Sequence, residues 1–215
     1  MKDFFLIKYA SDILDRTLEH LFLVSISIAI AIVIGIPLGI LITRKTYLRK
    51  PVLGIANILQ TIPSLALFGL LIPVPIIGGI GAVPAIVALT LYSFLPIIRN
   101  TYTGITGVDP AIREAGRGMG MTDNQLLLQV EIPLAIGVIL AGVRVATVIA
   151  IGIATIAAAI GAGGLGVFIF RGIAVVNNQL ILAGAVPAAV IALIADLGIG
   201  WIENKLTVKS SNSSK

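Results

Sequence analysis

Residues able to do chemistry are sparse in this sequence and far apart. Gly161, Gly163 and Gly166 fit the G-x-G-x-x-G spacing that lets a backbone approach a pyrophosphate. That motif needs a strand before it, a helix after it, and an acidic residue about twenty positions on for the ribose. Here apolar runs flank it on both sides and the acid is missing. Close helix packing through glycine and a bending element in a gate are the readings left open for Gly161, Gly163, Gly164 and Gly166. No G-x-x-x-x-G-K-[ST], H-E-x-x-H or G-x-S-x-G occurs. The chain is therefore not expected to split ATP by a P-loop or to act as a zinc protease or serine hydrolase, and no catalytic residue is assigned. With no cysteine and the single His20, disulfides, thiol catalysis and a metal cluster are not expected either.

Two ionisable residues, Arg144 and Asp196, stand inside long apolar runs. Charge at that depth is costly, so it marks either an Arg–Asp pair locking two helices or a polar point on a path for a charged solute.

These residues sit in a membrane-type composition. Of 215 residues, 58% are hydrophobic and 12% charged, against about 25% charged in a soluble domain. Mean hydropathy is +1.09. A hydrocarbon core of roughly 30 Å takes about 20 apolar residues per helix. Apolar runs at about 21–43, 55–73, 83–98, 133–160 and 180–202 then give five transmembrane helices in an all-α polytopic protein. Pro63 should kink the second run, as a gate or hinge. Residues 1–20 mix charge with apolar side chains and read as an interfacial helix. Residues 73–84 read as a surface turn or re-entrant piece, and 205–215 as a disordered tail. Gly35 and Gly39 form a small-residue pair for packing.

Five spans place the termini on opposite sides. One side carries Lys2, Lys8, Arg16 and Arg171; the other carries ten basic residues, Arg44, Lys45, Arg49, Lys50, Arg99, Arg113, Arg117, Lys205, Lys209 and Lys215. The richer side is cytoplasmic, so the N-terminus lies outside and the C-terminus inside. The net charge of +5 thus needs no nucleic-acid partner.

The long polar segment 99–132 faces the cytoplasm on this topology. Asp109 before Pro110 starts a helix, because the carboxylate accepts free N–H groups and proline suits the first helical position. Gly118 and Gly120 interrupt that helix, and Thr122 with Gln125 makes a capping-box pattern for a second one. The segment reads as a helix-turn-helix held at the membrane surface.

Within it, Glu114, Ala115 and Gly116, then Gly120, then Val130, Ile132 and Pro133 resemble the Glu-Ala-Ala, Gly, Ile-x-Leu-Pro loop of ATP-binding-cassette importer permeases. Gly, Val and Ile replace Ala, Ile and Leu at three places. The resemblance implies a type I importer permease fold over about 17–204 in a bacterial cell membrane. It also implies a coupling helix that includes Asp109, Pro110, Arg113, Glu114, Ala115, Gly116 and Gly120 and docks on a cytoplasmic ATPase dimer. ATP and Mg would then belong to that dimer, with no cofactor in this chain. A second permease subunit and an extracellular solute-binding protein are further implied partners. The stretches 57–73, 83–105 and 160–173 are similar to permeases that import glycine betaine, carnitine and choline. For such quaternary-ammonium solutes, Tyr92, Phe94, Tyr102 and Trp201 are candidate aromatic contacts along the pathway, with Asp196 as an attracting charge; each aromatic has an ordinary packing or interfacial alternative. Alternatives to this importer are a methionine-type permease, an ion-coupled carrier or channel, and a bare membrane anchor.

Overall fold

In the computed structural model, residues 10–212 are described. They form α1 (Ala10–Arg44), a 3-10 turn (Thr46–Leu48), α2 (Arg49–Thr61), α3 (Ser64–Leu71), α4 (Ala82–Thr106) and α5 (Pro110–Gly118). After these come α6 (Asp123–Leu126), a π turn (Leu127–Glu131), α7 (Ile132–Ala157), a 3-10 turn (Ala158–Ile160), α8 (Gly166–Ala174) and α9 (Asn178–Asn212). Four helical stretches are long and apolar enough to cross a membrane, and the bent pair α2–α3 makes up to five.

The helix ends sort onto two levels. Arg44 at the end of α1 pairs with Glu131 at the head of α7, whereas the Gly81 N–H before α4 donates to the Ile160 carbonyl beyond α7, at 2.8 Å. The α2–α3 segment leaves the first level and arrives at the second, so it must cross between them. It does so as a broken span: the two helices meet at 101°. Pro63 stands extended at the join (φ −55°, ψ 132°), so the expected kink is a full break.

Central α4 is covered by α1 on one side and α7 on the other, through small residues. A Cβ on Gly39 would lie 2.5 Å from Thr101, and one on Gly142 would lie 2.6 Å from Asn100. Gly35 faces Ile97 in the same way, so the small-residue pair of α1 is a packing seam. Hydroxyls add polar links inside the apolar layer: Ser27 Oγ donates to Ile86 O at 3.3 Å, and Thr90 Oγ1 to Ser27 O at 3.3 Å. The core joins Leu23, Ala31, Phe68, Leu89, Ile97, Ala146 and Ala154. Large apolar side chains such as Val33, Ile58, Leu70 and Leu193 remain exposed, as lipid or further subunits require.

Several expected boundaries shift. From Ala10 on, the residues read as an interfacial helix are the opening turns of α1, with no break near His20; residues 1–9 lie outside the described residues. The segment 99–132 is not a loop at either end. Helix α4 runs on to Thr106, because Thr101, Gly104 and Ile105 still face the interior, and the helix that becomes α7 already starts at Asp123. The tail from 205 was expected to be disordered, but α9 carries it helically to Asn212. No proline or glycine interrupts that stretch. Residues 73–81 form tight turns, with Gly79 N–H returning to Ile72 O.

Candidate functional site

The cytoplasmic helix α5 is built as its sequence dictates. Asp109 accepts from the Ala111 N–H at 2.8 Å with Pro110 in the first turn. The helix closes in a left-handed cap: Gly120 has φ +81°, its N–H returns to Arg117 O, and the Met121 N–H returns to Gly116 O. These are the two bonds of a Schellman motif, and glycine is the residue that accepts this φ without strain. Thr122 and Gln125 then exchange both bonds of a capping box, so α6 starts where the chain turns back.

The faces of α5 divide the candidate residues. Glu114, Ala115, Ile112 and Met119 point outward and are exposed. Gly116 is buried, and a Cβ there would meet Leu126 Cδ1 at 2.8 Å and Met121 Sδ at 3.2 Å. Its small size therefore serves packing of α5 on α6. Arg113 points inward. Its Nη2 donates to the Ile105 carbonyl in the last turn of α4, and its Nε lies 3.1 Å from Glu131 Oε1 as an ion pair without hydrogen-bond alignment.

Glu131 is the residue that sequence reasoning passed over. Its side chain is fully buried, while Arg44 and Arg113 remain 36% and 23% exposed. Arg44 meets it with both terminal nitrogens, the forked geometry that suits a guanidinium to a carboxylate. The signal was present: a lone acid between Val130 and Ile132, two positions before Pro133. The π turn at Leu127–Glu131 fits the same proline, whose missing N–H and ring disturb the regular ladder behind it.

Residues 161–166, four of them glycine, form a tight joint between α7 and α8. Gly161, Gly163 and Gly164 have φ of +76°, +81° and +77°. The Gly164 N–H donates to Glu19 Oε2 at 2.8 Å, and Glu19 is held by Arg16 at 2.8 Å. A Cβ on Gly166 would lie 1.8 Å from the Thr155 carbonyl. Helices, not a strand and helix, flank this turn. Beside it His20 is buried, with Nε2 3.2 Å from Ile151 O. Among the described residues no group of three His, Cys, Asp or Glu is placed to hold a metal.

The aromatic candidates have partners within the chain. Tyr92 is buried and its hydroxyl donates to Ile62 O, at the break before Pro63. Phe94 packs at the edge of the core. Tyr102 lies under Arg49, 4.7 Å from ring centre to Cζ. Trp201 is exposed, with Lys205 Nζ 3.7 Å from its ring centre. Asp196 is held by Arg144 at 2.6 Å, and Glu203 approaches the same guanidinium at 3.4 Å.

Residues 20–208 match the family described as the binding-protein-dependent transport system inner membrane component. The chain belongs to that family. It is a permease subunit of an ATP-binding-cassette importer, an inner-membrane protein, and the importer expectation replaces the ion-coupled and anchoring alternatives. Among curated relatives, the osmoprotectant import permease protein OsmW of Salmonella typhimurium is 47% identical over 95% of this chain and 94% of its own. The glycine betaine/carnitine/choline transport system permease protein OpuCB of Bacillus subtilis is 44% identical over 98% and 96%. The carnitine transport permease protein OpuCB of Listeria monocytogenes is 44% identical over 95% and 92%. Among solved structures, an inward-facing MetNI methionine ABC transporter matches with a TM-score of 0.80 at 25% identity, over 91% of this chain and 96% of that one. The type I importer permease fold follows.

Proposed function

We propose that this permease carries a quaternary-ammonium compatible solute, glycine betaine, carnitine or choline, inward by alternating access. The observation that carries the substrate class is the 44–47% identity to permeases of those solutes over nearly the whole chain. The solved methionine importer is more distant, at 25%. The exposed face of α5, with Glu114 and Ala115, docks on a cytoplasmic ATPase dimer, while Asp109, Pro110 and Gly120 set where that helix begins and ends. ATP and Mg belong to the dimer, and this chain, without a P-loop, acts as transport subunit and not as enzyme. A second permease subunit completes the pathway, and an extracellular solute-binding protein delivers the solute. The break at Pro63 and the glycine joint 161–166 are the places where the path bends or opens.

Uptake of labelled glycine betaine in cells lacking other carriers tests the substrate; uptake blocked by methionine and not by choline would reject it. Glu114→Ala should leave the protein in the membrane with solute uptake reduced about tenfold for the same ATP turnover. Normal uptake per ATP in that variant would remove α5 as the coupling element.

A further inference from the structure

Arg44 and Arg113 meet at the buried carboxylate of Glu131, and this junction is not part of the surface that α5 presents outward. The three side chains come from the end of α1, the head of α7 and the inner face of α5. Arg113 adds a fourth element by donating to Ile105 O at the end of α4. Movement of Arg113 relative to α1 and the head of α7 must therefore rearrange bonds at a single carboxylate. A fully buried carboxylate cannot simply release its partners to water, because an unpaired buried charge is strongly unfavourable. The junction consequently has a discrete paired arrangement and resists a gradual slide. Glu131 is also the last residue of the π turn, an element found frequently at functional sites.

We propose that Arg44 and Glu131, through Arg113, are the positioning residues that convert displacement of α5 into movement of α1, α4 and α7. The inference rests on the reading of α5 as the coupling element and names what that element pulls on. Arg113 is the arm, Glu131 the pivot, and Arg44 the tie to α1. Arg44 and Glu131 remain a balanced forked pair when Arg113 is neutralised, so the arm can be cut without leaving the carboxylate alone.

The test uses the assembled importer in liposomes, with its ATPase and solute-binding protein, and labelled glycine betaine as probe. Three quantities are read: ATPase retained on the purified complex, thermal midpoint, and solute moved per ATP hydrolysed. Arg113→Gln should keep the first two and lower solute per ATP by about tenfold, with Arg113→Lys recovering to within about threefold of the parent. The double variant Arg44→Gln with Glu131→Gln removes the pair with its charges balanced and should be equally uncoupled. Solute per ATP within about twofold of the parent in both Gln variants would overturn the proposal. So would a loss that tracks a fall in retained ATPase or thermal midpoint, since the junction would then be a clamp for folding alone. If Glu114→Ala is fully coupled in the same preparation, the coupling reading of α5 fails first and the junction's role falls with it. If Glu114→Ala is uncoupled and the junction variants are not, only the present inference fails.

Discussion

At the scale of single residues, the structure separates side chains that the sequence could only group. Tyr92 was open to two readings, a ring for a cationic solute or a core aromatic, and its hydroxyl on Ile62 O makes it a clip on the broken span. Tyr92→Phe keeps the ring, so a purely cation-facing ring predicts no change in stability. Loss of the hydroxyl orphans a carbonyl at the break and should cost about 1–2 kcal/mol, measurable as a lower thermal midpoint in detergent. The glycines divide similarly. Gly166→Ala must push a methyl into the Thr155 carbonyl and should cost about 1–3 kcal/mol. Gly152→Ala meets nothing within 4 Å and should stay within about 0.5 kcal/mol of the parent by the same melt. Spacing alone could not make this distinction, because a glycine needed for space and one in open space look identical in a sequence.

At the scale of elements, what was legible was what local chemistry determines. Asp109–Pro110 and Thr122–Gln125 name their own helix starts, and both caps are present. The left-handed close at Gly120 belongs with them. Its Cβ would meet nothing within 4 Å, so substitution acts through φ and not through a clash. Gly120→Ala should weaken the cap by about 1 kcal/mol, whereas Gly120→Asn, which tolerates the left-handed region, should retain more of it. Solute uptake per ATP ranked parent, Asn, Ala is the expected outcome, and equal coupling in all three would disconnect the cap from transport. Less legible were features set by distant partners. The extension of α4 past Arg99 depends on Thr101 and Ile105 finding α1 and α7 to pack on, and the junction at Glu131 depends on an arginine 87 positions earlier in the chain.

At the scale of the whole molecule, orientation follows from charge counted on two levels that the structure defines independently. The Arg44–Glu131 pair marks one level and the Gly81–Ile160 bond the other, and among the described residues Arg44, Lys45, Arg49, Lys50, Arg113 and Arg117 fall toward the first level and Arg16 and Arg171 toward the second. Helix α5 and the end of α9 fall on the basic side, and the turn before α9 falls on the other. The native sequence has no cysteine, so single reporters can read this directly. Gly118 and Asn178 are exposed, and a Cβ on Gly118 would touch nothing within 4 Å. In intact cells stripped of their outer barrier, Asn178→Cys should react with a membrane-impermeant maleimide, while Gly118→Cys should react only after the membrane is opened. The reverse pattern would place α5 outside, away from any cytoplasmic motor. Labelling of both from one side would mean that the span Asp123–Ile160, which separates Gly118 from Asn178 in the chain, does not cross the membrane.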